Sequence, residues 1–342
     1  MHHIQQSFMA VPADTGRRSA GERIELIMKH RAVVLSMIAL FILPLCLSCS
    51  VNVTAMRMVA DAMSSTTSGT TFTGEDDPEL VGDALPFALK LFESLLDGVK
   101  DNPKLWLATG SGFIMYANAY VQTPGDMLPD TEVDKKSQMT SRARKLYLRG
   151  RDYVLQGLEV LYPGFTASLE NDAYRGRLDA MKAEDVPYLY WTAAGWLAAY
   201  ASDPFDVNIG VGVKKAAAMM ETALRLNEAY NDGAIHDFFI LYYGSLPRSM
   251  GGSEERARYH FKKAVELSRG LAASPYVALA STVSVANQNV KEFTDLLNKA
   301  MAIDVSKKTG NRLANIIAQR KARWLLDHTD DKFLSDTNEG DK

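Results

Sequence analysis

Three stretches of one design decide the fold: VKKAAAMMETALRLN at residues 213–227, EERARYHFKKAVELS at 254–268 and VKEFTDLLNKAMAID at 290–304. In the first, Ala216, Met220, Ala223 and Leu224 share a helical stripe that Leu226 and Asn227 close. Ala257, Phe261, Ala264 and Val265 repeat it, closing with Leu267 and Ser268. Phe293, Leu297, Ala300 and Met301 write it a third time, closing with Ile303 and Asp304. A stripe that recurs at fixed helical offsets is the mark of a repeated helical unit. Small residues in it let a neighbouring helix approach, and the large residue between them fills a hole in that neighbour.

A partner helix precedes each stripe. Trp191, Gly195 and Ala198 stand at offsets 0, 4 and 7, as do Trp106, Gly110 and Phe113, with Tyr276, Ala280 and Val283 a weaker version. This is the pattern of tetratricopeptide (TPR) helix pairs, in which an aromatic anchor packs inside the pair. From Ala143 the stripes begin 73, 41 and 36 residues apart, against about 34 in a regular array. The expectation is an all-α, TPR-like helical-hairpin array of about four degenerate repeats, with flanking and capping helices, over residues 79–334. No stretch shows sustained strand alternation.

Working outward, Asp76-Asp77-Pro78-Glu79 reads as a helix start, since acids suit a helix N-terminus and proline suits its first turn. Leu80 to Val99 is amphipathic, Trp106 to Val121 opens the first pair, and Thr123 to Thr140 is an insertion before a helix from Ser141 to Tyr162. Asp172 to Met181 reads as a partial helix, Pro187 opens another, and Asn311 to Asp327 closes the array. Residues 335–342 read as a disordered tail.

The N-terminus reads as an address. Lys29-His30-Arg31 precedes the apolar run Ala32 to Leu47, which ends in Ser48-Cys49. A basic region, a short apolar core and a small residue before cysteine form a lipoprotein-type secretory signal. The run falls short of the ~20 residues of a spanning helix. Residues 1–48 are thus the expected signal, with a possible second start at Met28, and Cys49 is the expected lipidation site. An uncleaved anchor helix and ordinary signal cleavage are the alternatives, and Cys46 is unusual three positions before the lipidated residue. Residues 49–78 would then hold the anchor, a short helix over Val51 to Met63, and a Ser/Thr/Gly tether from Ser64 to Gly74.

Charge and composition narrow the function. A net charge of −3, with no basic patch carrying interleaved aromatics, argues against a nucleic-acid partner. The only two cysteines, Cys46 and Cys49, leave the body without a disulfide or thiolate metal site. No HExxH, GxSxG or Walker loop is present, and Gly110-Ser111-Gly112 and Gly210-Val211-Gly212 are too short for nucleotide signatures. His236, His260 and His328 lack a second histidine or cysteine at ligand spacing, so no metal, cofactor or enzyme activity is expected. His260, beside Phe261, reads as a surface residue. His236 reads first as a satisfied histidine between helices, and second as a contact for a ligand or partner.

First helices of TPR pairs line a concave face, so an aromatic and partly apolar groove is expected. Its candidate residues are Trp106, Tyr116, Tyr190, Trp191, His236, Asp237, Tyr242, Tyr243 and Arg248.

Several segments together resemble one family. They are residues 76–88 (DDPELVGDALPFA), 143–153 (ARKLYLRGRDY), 190–194 (YWTAA), 233–238 (GAIHDF) leading to Tyr242-Tyr243, Leu246-Pro247 and Gly251-Gly252, and 318–326 (AQRKARWLL). The likeness is to the T component of TPR-associated TRAP transporters, the TatT family, over roughly residues 76–334. The resemblance implies a non-enzymatic periplasmic lipoprotein that associates with the substrate-binding P subunit of a TRAP importer. It also implies a homo-oligomer, expected to be a trimer, whose clefts or pores hold or pass a small, hydrophobic ligand. A general TPR adaptor in envelope assembly is the alternative.

Overall fold

A computed structural model describes residues 20–63 and 71–334. Every regular element among them is helical. The chain forms two compact units, residues 1–55 and 56–342.

The first unit holds most of a 44-residue helix, α1 (Ala20–Met63), on which Ile27, Val33, Leu35 and Met37 are exposed. Where the sequence suggested a separate short helix after the signal, the helix is continuous. Ser48-Cys49-Ser50 holds no glycine or proline to stop it. Much of the signal, residues 1–19 and the side chains of residues 38–48, lies outside the described residues, as does the side chain of Cys49. The tether falls partly on residues 64–70 and the tail on 335–342, also outside them. Among the described residues, no helix is long and apolar enough to cross a membrane.

The second unit begins with the last turns of α1. There Ala60 is fully buried with Leu95, Leu96 and Leu105, Arg57 pairs with Asp101 at 2.7 Å, and Asp61 accepts from Asn102 at 2.8 Å. Helix α2 (Pro78–Gly98) starts at Asp77, whose carboxylate accepts from the Leu80 N–H at 3.0 Å, with Pro78 in the first turn. Helix α3 (Pro103–Tyr116) is capped in the same way by Asn102 and runs into a π-helical turn at Ala117–Gln122. Helix α4 (Val133–Leu161) begins eight residues before its expected start. Residues 134–140, read as part of an insertion, hold no proline or glycine and simply extend it.

Then follow α5 (Phe165–Glu170), α6 (Tyr174–Asp179), α7 (Val186–Ser202), α8 (Val207–Gly210) and α9 (Val213–Leu226). Helices α10 (Ala234–Ser245), α11 (Glu254–Leu267), α12 (Ser274–Leu279), α13 (Val290–Met301) and α14 (Arg312–Asp327) complete the body. Consecutive long helices pack on one another: α3 on α4, α4 on α7, α7 on α9, α10 on α11, and α13 on α14. Ala216, Met220, Ala223, Ala257, Ala264, Phe293, Leu297 and Ala300 are all buried, so the three stripes face the core. One main cluster runs from Val154 to Leu325. Arg320 of α14 forks over Glu79 of α2 at 2.5 and 3.0 Å, joining the two ends of this unit.

Candidate functional site

The turn between α9 and α10 sets the geometry. Asn231, Asp232 and Gly233 take φ of 44°, 58° and 92°, three left-handed residues in a row. Asn and Asp tolerate this region best among residues with a side chain. Gly233 has a second constraint, because a Cβ there would stand 3.2 Å from Leu267 Cβ and 3.3 Å from Ala264 Cα. The reversal brings α10 onto α11 and presents Tyr230 to α7.

On α7, Tyr190 meets Trp191 edge-on, with ring centroids 5.1 Å apart, and meets Tyr230 at 5.3 Å. Asp237 lies in the first turns of α10, and its charge bears on Tyr190. The three rings form an aromatic wall, and each of the four residues keeps part of its surface open to solvent. The Oδ1 atom of Asp237 is sealed and has no hydrogen-bond partner among the described residues. Burial pushes the Asp237 carboxyl up to about 6, with the Ser274 hydroxyl holding it back. Burial likewise raises the phenols of Tyr190 and Tyr230, the latter to about 12. Farther along α10, Phe238 and Tyr242 stack one helical turn apart, nearly parallel at 6.2 Å.

A second polar group lies behind this wall, in the interior. His236 is fully buried, and its Nδ1 lies 2.7 Å from Nδ1 of His260 on α11. Contrary to the expected surface position, His260 is only 7 % exposed, stacked against Phe239 at 4.8 Å and Tyr243 at 5.6 Å. The reason is that α10 packs over the face of α11 that carries it. At this separation one Nδ1 donates and the other accepts, so the pair holds at most one extra proton. Burial lowers both histidines, His260 to about 4, where the charge of His236 adds to the effect. Glu228 Oε1 lies 3.3 Å from His236 Nε2, near enough to favour a proton there but without hydrogen-bond geometry.

The structure thus brings Tyr190 and Trp191 together, with Asp237, whose charge bears on Tyr190, and Tyr242 on one helix, α10. His236 and Tyr243 are buried side chains of the adjoining core. Trp106 donates to the Lys100 carbonyl at 2.8 Å and packs on Tyr153. Tyr116 stacks on Tyr120 under the Arg142 guanidinium. Arg248 is exposed on the turn Arg248–Met250. Tyr230, Ser274 and His260 were not among the candidates. The Asn231-Asp232-Gly233 turn signal was available to place Tyr230. A separate open cleft of about 410 Å³ lies between α11 and α13, lined by Arg258, Lys262, Glu292, Lys299 and their neighbours. Arg258 and Glu292 close on each other across it at 2.6 and 3.1 Å. Among the described residues no group of three or more His, Cys, Asp or Glu could hold a metal ion.

An uncharacterized protein of Treponema pallidum (strain Nichols) is 34% identical over 322 residues, covering 90% of this chain and the whole of that protein. The family model described as TRAP transporter T-component matches residues 74–333, from the turn before α2 to beyond the end of α14. The match takes in the aromatic wall, the histidine pair and every helix after α1, and the chain belongs to the TRAP transporter T-component family.

Proposed function

We propose that the chain is a periplasmic lipoprotein, anchored through Cys49, that serves a TRAP-type importer by binding its P-type solute-binding subunit. Membership of the T-component family carries this reading and makes the chain an accessory component of TRAP transporters. The helical body is a TPR-like array in this account, self-associated as a trimer, with the half-buried rings of Tyr190, Trp191, Tyr230 and Tyr242 forming a ligand-facing wall. Apolar rings at a solvent-accessible face suit a small molecule with an apolar surface. The short apolar run before Ser48-Cys49 supports export and lipid attachment.

Two measurements test it. Metabolic labelling with radioactive palmitate should mark the wild-type chain and leave Cys49→Ala unlabelled; equal labelling of both would remove the anchor. Co-purification from the native envelope should recover the TRAP solute-binding subunit with the tagged chain. Recovery of envelope-assembly proteins instead would favour a general adaptor.

A further inference from the structure

The cleft between α11 and α13 carries more positive charge than its own acids answer. Its lining holds the cations Arg258, Lys262, Lys291 and Lys299 against the acids Glu292 and Asp295, in a chain of net charge −3. Both acids are taken. Glu292 accepts from the Arg258 guanidinium at 2.6 and 3.1 Å and from the Ser284 hydroxyl at 2.8 Å, and Asp295 accepts from Lys291 at 2.6 Å. The exposed ammonium groups of Lys262 and Lys299 join no ion pair or hydrogen bond among the described residues. Lys262 follows Arg258 by one helical turn and Lys299 follows Asp295 by one, so each lysine continues the helix face that carries those pairs. The same cleft is lined by Leu279 and Leu296, both buried, and by the partly buried ring of Phe261.

We infer that this cleft binds a small organic anion, with Lys262 and Lys299 holding a carboxylate or phosphate head and Phe261, Leu279 and Leu296 receiving an apolar body. Its volume of about 410 Å³ falls within the span of small-molecule sites, about 300–1,000 Å³. A neutral apolar molecule would cover the apolar lining and leave both ammonium groups unanswered. An organic cation would add to the positive surplus, and like charges near a protein surface repel. An inorganic anion would answer the lysines and leave the apolar lining in water. An acid on an apolar body satisfies both parts of the cleft. Lysine suits the task, because its stem lies along apolar surface while its ammonium group turns to meet a charge. The site shares no residue with the aromatic wall of α7 and α10 and does not depend on how that wall is used.

Calorimetric titration of the full-length chain in detergent at pH 7.5 tests this. The probes are 3-phenylpropionate and phenyl phosphate, with 3-phenylpropionamide as the uncharged isostere and acetate as the head without a body. At least one of the two anions should bind about tenfold or more tightly than both the amide and acetate, and the tighter of the two names the head group. Changing both lysines, Lys262→Gln with Lys299→Gln, should bring that anion's affinity down to that of the amide. Both positions are exposed, so the melting temperature of the double variant should match that of the wild type. Equal affinity for anions and amide, equal affinity for anions and acetate, an undiminished preference in the folded double variant, or no anion binding up to about 10 mM would overturn the inference.

Discussion

His260 and Asp237 show how much a side chain's neighbours decide. His260 adjoins the stripe residue Phe261 and, three residues after Ala257 and four before Ala264, shares their buried face of α11, which α10 covers. With both histidines lowered by burial, the unfolded chain takes up protons first on acidification. Their contribution to stability is therefore present above the ordinary histidine value of 6.5 and is lost as pH falls toward about 4. Replacing His260 by Phe, which suits the stack with Phe239 and Tyr243, should flatten the loss of Tm between pH 6.5 and 4. A melt series across that range checks it, and an unchanged slope would contradict it.

Asp237 has the opposite sign. Its folded value near 6 lies above the ordinary 3.8, so its cost grows as pH rises through that interval and is constant above it. Asp237→Asn should stabilise the chain by roughly 1–2 kcal/mol at pH 7.5, allowing for partial exposure, and by almost nothing at pH 4. Denaturant titrations at the two pH values read this difference directly.

At the scale of elements, glycines set how closely helices cross. A Cβ on Gly110 of α3 would stand 2.5 Å from the Gly150 carbonyl oxygen, and one on Gly150 of α4 would stand 2.6 Å from that of Gly110. Gly195 of α7 meets Ile114 and the Tyr147 carbonyl in the same way. Gly150→Ala should therefore cost about 1–3 kcal/mol, since backbone atoms cannot yield as side chains do. Gly176 in α6 has nothing within 4 Å of its Cβ position, so Gly176→Ala should gain about 0.5–1 kcal/mol. Equilibrium unfolding of the two variants should move in opposite directions.

Much of this level was legible in the sequence. The Trp-x₃-Gly spacing at Trp106/Gly110 and Trp191/Gly195 marked two of the glycine crossings, and the small-large-small stripes marked the buried faces. The helix start at Asp77 before Pro78 was legible because capping is local chemistry. The start of α4 was missed because two prolines and a glycine upstream, Pro124, Gly125 and Pro129, coloured the reading of all the residues to Thr140. Tyr230 and His260 were missed for a different reason. Their partners, Tyr190 and His236, are 40 and 24 residues away, and only the left-handed turn at Asn231-Asp232-Gly233 and the α10–α11 packing bring them together.

For the whole molecule, the second unit presents one helical body whose last helix reaches back to its first through Arg320 and Glu79. The T-component family match extends over that body. Native mass spectrometry of the purified chain, alone and mixed with the TRAP solute-binding subunit, tests this account most directly. The account predicts a homotrimer that takes up the subunit in fixed stoichiometry. A monomer that ignores the subunit would contradict it.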